Sequence, residues 1–408
     1  MVAFHFPPLA GSSGIQRTLR FAQHLPALGW EPIVLTAHER AYEHTSTDLL
    51  GEVPRGVHVE RAFAMDAARH FTIWGRYPAI LARPDRWMAW RFGAVLAGMR
   101  LIRKYGPQVI WSTYPIATAH VIGTALHRRS ALPWIADFRD PMAQEGYPAD
   151  ARLWRCFKTI EETTLSHARS SVFTTPGAAR EYSRRYPTVA SRITVIENGF
   201  DEESFAGLQV AGEARGTLNP GAVTLLHSGI VYPSERDPAH LFAAVARLVA
   251  AQCLVPGRFK LRFRAAANNE LLEALTRQHS LEDFVEILPP IAYRPALEEM
   301  IRADGLLVLQ ASNCNEQIPA KIYEYLRAGR PILALTDPEG DTAGVLREAG
   351  IDSIARLNSV DEIAGLLGRF VSPQAGGLRT IARNDAVTSA SRVMRASALA
   401  RLLDECMN

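Results

Sequence analysis

The sequence predicts an α/β protein with two doubly wound domains, each built on a parallel sheet that helices cover. Along nearly all of the 408 residues, short apolar runs bounded by turn residues alternate with helix-length amphipathic stretches. This alternation is typical of parallel strands joined by helical crossovers. The length also exceeds what one hydrophobic core ordinarily supports, which favours two domains of about 200 residues each.

Each half of the chain contributes six candidate strands. In the first half they are Val2–Phe6, Pro32–Thr36, Val109–Ser112, Trp134–Asp137, Ser171–Thr174 and Ile193–Ile196. In the second half they are Thr224–His227, Lys260–Arg264, Val285–Leu288, Leu306–Gln310, Pro331–Leu335 and Ser353–Arg356. Between the halves, the glycine-rich segment 207–222 lacks periodicity and indicates a linker or a flexible loop.

These patterns predict a first domain over residues 1–198, a second over 199–385 and a C-terminal helix over 386–408. Doubly wound sheets bind ligands outside the carboxyl ends of their strands, so two such domains in series predict that they face each other across a ligand cleft. Functional residues are therefore expected just after strands.

Composition excludes several classes of protein. The net charge is +3, with 48% hydrophobic and 21% charged residues, as in soluble globular proteins rather than disordered or fibrous ones. The four cysteines show no zinc-binding or disulfide spacing. No apolar run reaches the roughly eighteen residues of a spanning helix and no secretion signal opens the chain, so we expect a cytoplasmic protein.

The segment NEQIPAKIYEYLRAGRPILAL follows a candidate strand and begins a helix. Pro319 suits the first helical turn, and Lys321 and Glu324 share one helix face. A helix start and a lysine favour a phosphate group. Glu324 could accept hydrogen bonds from a ribose diol, and Glu316 in the loop could accept them from a sugar. The alternative is an ordinary solvated helix face with a Lys/Glu pair.

Two further motifs follow strands in the first half. GSSGIQR departs from the G-x-G-x-x-G dinucleotide fingerprint, but Gly11 and Gly14 would let a phosphate or sugar approach the backbone; a plain tight turn is the alternative. In DFRDP, Asp137, Arg139 and Asp140 lie where ligand-binding residues are expected. A buried Asp–Arg pair that orders the loop is the alternative there, and both roles could coexist.

Taken together, these segments resemble retaining GT-B glycosyltransferases, particularly glycosyltransferase family four. E-x7-E with IPAKIYEYLRAGRPIL is similar to that family's donor-site signature, and FHFPPLAGSSGIQRTLRFAQHLPALGWEPIVLT to its opening. IADFRDP resembles a motif of the envelope-polysaccharide branch, ENGFDEESF the interdomain segment, and LLHSGIVYPSERDP the start of the donor-binding domain. The likeness covers most of the chain.

The resemblance implies a role for each matching residue. Glu316 would hold hydroxyls of the donor sugar, Glu324 the ribose, and Lys321 the donor diphosphate. Arg236 would be the second phosphate cation, with a surface arginine as the alternative. Arg139 stands where many members carry histidine, which leaves open the side chain that meets the transferred sugar. The remaining implied contacts are Gly229, Ile318, Pro319 and Gly14 for the donor and Asp137, Asp140 and Gly11 for the acceptor.

A basic and aromatic segment spans residues 69–104, with eight basic residues against one acidic residue and with Trp74, Tyr77 and Phe92 among its aromatics. This composition suits an anionic membrane surface, which would make the protein peripheral at the inner face of a membrane. Buried aromatics in an acceptor-domain helix are the alternative. No nucleic-acid motif accompanies the segment, so we expect no nucleic-acid partner.

The predicted function is transfer of a hexosyl or N-acetylhexosaminyl group, with retention, from a nucleotide-sugar to a hydroxyl of a glycan or lipid-linked glycan in surface polysaccharide biosynthesis. The resemblance also implies that the C-terminal helix packs on the first domain. The absence of a D-x-D motif predicts metal independence, and no cofactor is expected because the nucleotide-sugar is a co-substrate. The alternatives are a nucleotide-sugar epimerase, a binding protein without catalysis, and an enzyme that glycosylates a soluble metabolite.

Overall fold

The computed structural model describes residues 1–12, 14–72, 82–208, 216–372 and 380–407. The chain divides into two compact units. Unit 1 comprises Met1–Asn198 and the C-terminal segment from Arg392 onward, and unit 2 comprises Gly199–Ser391. Each unit has a hydrophobic core of its own.

Unit 1 contains a two-stranded and a four-stranded parallel sheet, in the orders β1-β2 and β3-β4-β5-β6. Its described strands are β1 (Ile33–Ala37), β2 (His58–Ala62), β3 (Ile110–Thr113), β4 (Trp134–Arg139), β5 (Ser170–Phe173) and β6 (Ile193–Val195). Val2 joins the two sheets, because it forms parallel bridges to both β1 and β3.

The helices of unit 1 follow its strands and bury one face each. They are α1 (Gly14–His24), α2 (Ala67–His70), α3 (Trp90–Tyr105), α4 (Thr118–Ser130), α5 (Ala151–His167), α6 (Pro176–Arg185) and the C-terminal helix (Arg392–Met407). Capping side chains fix where several of them begin: Asp150 accepts from the Leu153 amide at 2.7 Å, and Thr175 from the Ala178 amide at 3.2 Å. In the C-terminal helix, Leu399 and Leu403 share a buried cluster with Phe21 of α1.

Two predictions for unit 1 need correction. The predicted strand Val2–Phe6 is reduced to the single bridge at Val2, because the Phe4 carbonyl accepts from the Tyr42 hydroxyl (3.1 Å) and two prolines without N–H groups follow. Strand β2 was not predicted. Its residues are partly exposed rather than alternately buried, so the period-2 signal of a half-buried strand is weak there.

Unit 2 is one six-stranded parallel sheet in the order β12-β11-β10-β7-β8-β9. Its strands are β7 (Val223–Ser228), β8 (Phe259–Arg264), β9 (Val285–Leu288), β10 (Gly305–Leu309), β11 (Ile332–Leu335) and β12 (Ile354–Ala355). The described helices are α7 (Glu202–Phe205), α8 (Ala239–Ala250), α9 (Asn269–Gln278), α10 (Tyr293–Arg302), α11 (Lys321–Ala328), α12 (Asp341–Glu348), α13 (Val360–Val371) and α14 (Asn384–Ser389). Strand β10 is buried throughout, as expected of a central parallel strand.

The end of the chain differs from the sequence prediction. A continuous C-terminal helix was predicted from residue 386, but α14 ends at Ser389 and the C-terminal helix begins only at Arg392. Between them, the Phe200 amide donates to the Ala390 carbonyl at 3.2 Å, and this pairing interrupts the helical register. Part of the predicted linker, residues 209–215, lies outside the described residues.

Candidate functional site

The candidate site of unit 2 lies at the carboxyl ends of two neighbouring strands, β7 and β10. After β7, Gly229 has φ +117°, a conformation that glycine alone adopts readily, and the chain turns toward Arg236. After β10, a loop that carries Glu316 leads into α11, whose first residue is Lys321. The topology thus brings the predicted donor residues of unit 2 to one edge of its sheet, whereas Gly14 lies in unit 1.

The amino group of Lys321 lies over the exit of β7. Its Nζ is 3.2 Å from His227 Nε2, and a Cβ built on Gly229 would lie only 3.0 Å from it. The absence of a side chain at Gly229 therefore makes room for the lysine. Burial, with the nearby charge of Arg236, lowers the pKa of Lys321 to about 7 despite the opposing effect of Glu324.

Arg236 is the second cation at this edge. Its Nη1 donates to the Ile230 carbonyl at 2.7 Å, and its guanidinium carbon lies 5.1 Å from the centre of the Tyr232 ring. These contacts hold the guanidinium close enough to Lys321 to depress the lysine pKa. Two converging cations of this kind suit a polyanion such as a diphosphate.

Glu324 lies one turn into α11, where its Oε1 accepts from the Tyr293 hydroxyl at 2.7 Å. The next residue, Tyr325, is buried, and its hydroxyl accepts from the Ser228 amide at 2.9 Å. Burial raises the pKa of Tyr325. The hydrogen bond between Ser228 and Tyr325 joins the end of β7 to α11, so it fixes the position of the helix start relative to the β7 loop.

Hydrogen bonds from buried groups hold the backbone of the loop that carries Glu316, while the Glu316 side chain is exposed. The buried Gln310 amide donates to the carbonyls of Cys314 (2.8 Å) and Gln317 (2.9 Å). The backbone of Asn315 accepts from the Asp341 amide at 2.8 Å. Of the two predicted donor contacts nearest the helix, Ile318 is a buried core residue, and the Pro319 carbonyl accepts from the Ile322 amide at 2.9 Å.

Arg139 is the most unusual of the predicted residues in unit 1. It ends β4 with φ +60°, at a register shift in the pairing of β4 with β5. A non-glycine residue in this region is strained by about 1–3 kcal/mol, and such strain concentrates at functional sites. The Thr174 amide and hydroxyl donate to the Arg139 carbonyl at 3.0 and 2.8 Å, which holds this backbone in place.

Gly14 lies beside Arg139 at the start of α1. A Cβ at Gly14 would overlap His5 Nδ1 and lie 2.9 Å from Arg139 Nη1. Burial, reinforced by the charge of Arg139, lowers the pKa of His5 to about 4, so this imidazole is neutral at pH 7. The other predicted residues here, Gly11 and Asp140, are exposed, and Gly11 has open space around it.

Asp137 is fully buried and binds protein groups with both carboxylate oxygens. Its Oδ2 accepts from Arg17 Nε (2.9 Å) and the Thr113 hydroxyl (2.8 Å), and its Oδ1 accepts from Arg17 Nη2 (2.8 Å). A buried Asp–Arg pair was the alternative interpretation of DFRDP, and such a pair is present. Its arginine is Arg17 rather than Arg139 of the motif. The same guanidinium donates to the Ile196 carbonyl at 2.9 Å. This network suits support of the site better than contact with a ligand.

Sequence reasoning did not single out four residues that the structure places at these two sites: Arg17, His5, His227 and Tyr293. Arg17 and His227 lie inside quoted motifs, GSSGIQR and LLHSG, so a signal was present. Arg17 contacts Asp137, which is 120 residues away in the chain, and His227 contacts Lys321, which is 94 residues away. His120 is buried, and its Nδ1 lies 2.8 Å from the Ser112 hydroxyl.

The basic and aromatic segment 69–104 is described only outside residues 73–81, so Trp74 and Tyr77 lie outside the described residues. Within it, Trp90 is completely buried, whereas Phe92 and Leu96 of α3 are 66% and 58% exposed. The buried Trp90 agrees with the alternative of aromatics packed in a domain helix, and membrane contact stays a prediction.

Among the described residues, no three His, Cys, Asp or Glu side chains gather in a metal-binding group. In the same part of the chain, every helix is too short or too polar to cross a bilayer.

Comparison with known proteins gives a family match for the first half of the chain. Residues 13–199 match the family model described as a glycosyl transferase 4-like domain. No curated protein sequence matches the chain. Among solved structures, the sucrose-phosphate synthase of Thermosynechococcus elongatus is similar at 16% identity and a TM-score of 0.67, over 99% of this chain and 98% of that chain.

Two further solved structures are similar over nearly the whole length of the chain. Anabaena HepE, in complex with UDP and glucose, is 15% identical with a TM-score of 0.67, over 99% of each chain. The α,α-trehalose-phosphate synthase (UDP-forming) of Burkholderia xenovorans, in complex with glucose-6-phosphate, is 13% identical with a TM-score of 0.66, again over 99% of each chain.

The fold is that of the GT-B glycosyltransferases, which confirms the predicted fold class. Residues 13–199 match a glycosyl transferase 4-like domain, in agreement with the family-four motifs of the sequence.

Proposed function

We propose that this protein is a retaining glycosyltransferase that moves a hexosyl or N-acetylhexosaminyl group from a nucleotide-sugar to a hydroxyl of a glycan or lipid-linked glycan. The donor binds unit 2 and the acceptor binds mainly unit 1. The reaction belongs to surface polysaccharide biosynthesis and needs neither a metal ion nor a cofactor. UDP in Anabaena HepE makes a uridine nucleotide the first donor to test.

The observation that carries the proposal is the pair of cations at the start of α11. Lys321 occupies the space that Gly229 leaves, Arg236 is near enough to lower the lysine pKa, and Glu324 lies one helical turn away. Charge on a departing diphosphate is stabilised best by donors fixed in advance, since they need no reorganisation during the reaction. Glu324 is placed to accept hydrogen bonds from a ribose and Glu316 from the transferred sugar.

On the acceptor side, the proposal rests on Arg139. Its backbone is strained and held by Thr174, and Gly14 leaves room for its guanidinium. Asp137 supports this site from within the core, and Asp140 lies exposed at its edge. A hydroxyl acceptor placed near Arg139 gains orientation from a rigid edge of the sheet rather than from a loose loop.

The test is incubation with UDP-glucose, UDP-N-acetylglucosamine and GDP-mannose, with and without extracted lipid-linked glycans, followed by measurement of nucleotide release and product linkage. We expect acceptor-dependent release with retention, unchanged by a metal chelator. Lys321→Ala and Glu316→Ala should each lower kcat/KM about 100-fold or more. Lys260→Ala is the matched control, because Lys260 lies on β8 and donates to the Asp283 carbonyl at 2.8 Å.

Each rival function predicts a different outcome. Conversion of the sugar without an acceptor would identify a nucleotide-sugar epimerase, and binding without turnover would identify a protein that has lost catalysis. Transfer to a small soluble alcohol only would replace the glycan acceptor by a metabolite. If Lys321→Ala and Glu316→Ala retained full activity, the assigned donor site would be wrong.

The proposal includes contact with an anionic membrane through one face of α3. Phe92 and Leu96 are exposed one turn apart, Arg100 continues this face, and α3 contains no acidic residue. Sedimentation with vesicles of phosphatidylglycerol should recover more protein than sedimentation with phosphatidylcholine, and Leu96→Glu should abolish the difference. Val255→Glu, at a half-exposed position in unit 2, should leave it unchanged; equal binding to both vesicles would exclude this contact.

A further inference from the structure

His227 is a buried residue near the end of β7, and both of its ring nitrogens face protein groups. Nδ1 is 3.0 Å from the Leu307 carbonyl, which can only accept, so Nδ1 carries the proton and donates. In that tautomer Nε2 has a free lone pair. It lies 3.2 Å from Lys321 Nζ, and the ammonium therefore donates to the imidazole.

The charges around this contact favour one arrangement. Burial, together with the charge of Lys321, holds the pKa of His227 well below its usual range, so the imidazole is neutral and can accept. The charged groups that act on Lys321 are Arg236 from the β7 loop and Glu324 from α11 itself. A neutral acceptor can thus stabilise the ammonium without neutralising its charge.

The lysine side chain has four rotatable carbon–carbon bonds, and fixing it on binding costs rotamer entropy when nothing holds it in advance. The His227 contact uses one of the three ammonium protons and leaves two for a ligand. Gly229 also lies against the amino group, since a Cβ there would be 3.0 Å from Nζ. Imidazole and glycine together restrict Nζ to a small region at the sheet edge.

We propose that His227 is a positioning residue that aims Lys321 at the donor diphosphate by accepting a hydrogen bond at Nε2. This inference rests on the proposed function, in which Lys321 binds that diphosphate. His227 contacts the lysine and not the donor. Its effect on the reaction passes through the place and the charge of the ammonium group.

Two substitutions separate the ring nitrogens. In His227→Asn, the short amide can still donate to the Leu307 carbonyl from the position of Nδ1, but nothing remains to accept from Lys321. In His227→Gln, the longer amide places an acceptor near the position of Nε2. We expect His227→Asn to lower kcat/KM for the donor about tenfold, the effect of losing one hydrogen bond to a charged group.

The pH profile gives the readout that a purely structural role would not move. Loss of the acceptor destabilises the charged lysine, so the alkaline limb of kcat/KM should shift to lower pH by about one unit in His227→Asn. His227→Gln should return the limb toward the wild-type position. Thermal melting of both variants separates these effects from unfolding.

The outcomes also separate this inference from the proposed function. If wild-type protein is active and Lys321→Met is impaired, but His227→Asn keeps the wild-type limb and kcat/KM, only the inference fails. If Lys321→Met matches wild type in donor kinetics, the proposed donor site fails first. If His227→Asn lowers the melting temperature but leaves the alkaline limb of kcat/KM unchanged, His227 has only a structural role in the core.

Discussion

Binding of a nucleotide-sugar should be accompanied by proton uptake at Lys321. The pKa of this lysine is about 7 in the free protein, so about three quarters of it is neutral at about pH 7.5. A bound diphosphate favours the charged form and raises this pKa. A rise of about two units gives uptake of about 0.7 proton per nucleotide-sugar at about pH 7.5.

The sign follows from the direction of the shift on binding. The lysine contact is complete below about pH 7, and affinity should fall by up to about tenfold per pH unit above that, until the pH reaches the pKa of the complex. His227 adds no uptake near neutrality, because its pKa stays well below the usual range.

The assay is isothermal titration of the protein with UDP-glucose in buffers of different ionisation enthalpy, from which proton uptake is obtained directly. UDP-glucose suits the measurement because its diphosphate has no ionisation near neutral pH. Lys321→Met should abolish the uptake and flatten the pH dependence, whereas Lys260→Met should preserve both. Uptake near zero in the wild type, or equal uptake in Lys321→Met, would refute the reasoning.

Two predictions concern unit 1. Gly14→Ala places a Cβ against His5 Nδ1 and should lower kcat/KM at least tenfold as the neighbouring side chains shift. Gly56→Ala is the control, because a Cβ there has nothing within 4 Å, and it should leave kcat/KM unchanged. Equal kinetics for the two variants would contradict this prediction. Arg17→Met leaves the buried Asp137 carboxylate without a cation and should lower the free energy of unfolding by about 3–5 kcal/mol in denaturant titrations, and an unchanged midpoint would show that the pair is not needed.

The sequence predicted strands β10 and β11 of unit 2 well, because they are the short apolar runs that a central parallel strand requires. Gly305–Leu309 is buried at every position, and Ile332–Leu335 likewise, so no alternation was needed to detect them. Strand β2 is partly exposed and has neither a continuous apolar run nor an alternation of apolar and polar residues. Val2–Phe6 had the composition of a strand, but whether a strand pairs depends on its neighbours, which the sequence does not display.

The candidate site divides in the same way. The relation between Lys321 and Glu324 follows from helical spacing, so local sequence was enough to place them on one face. The contact between His227 and Lys321 joins residues 94 positions apart, and the pair of Arg17 and Asp137 joins residues 120 positions apart. Such contacts depend on strand order, and no periodic pattern in a single sequence encodes them.

The two units share one arrangement of a basic side chain and a glycine. In each, a cation lies at the carboxyl edge of a parallel sheet, in the space that a missing Cβ leaves: Arg139 beside Gly14 and Lys321 beside Gly229. Gly14 was predicted to let a phosphate or sugar approach the backbone, and the resemblance implied a donor contact at Gly229. At both positions a side chain of the protein itself comes close to the glycine. The fold therefore fixes the position of each basic side chain before any ligand arrives, which is the condition for electrostatic stabilisation with little reorganisation.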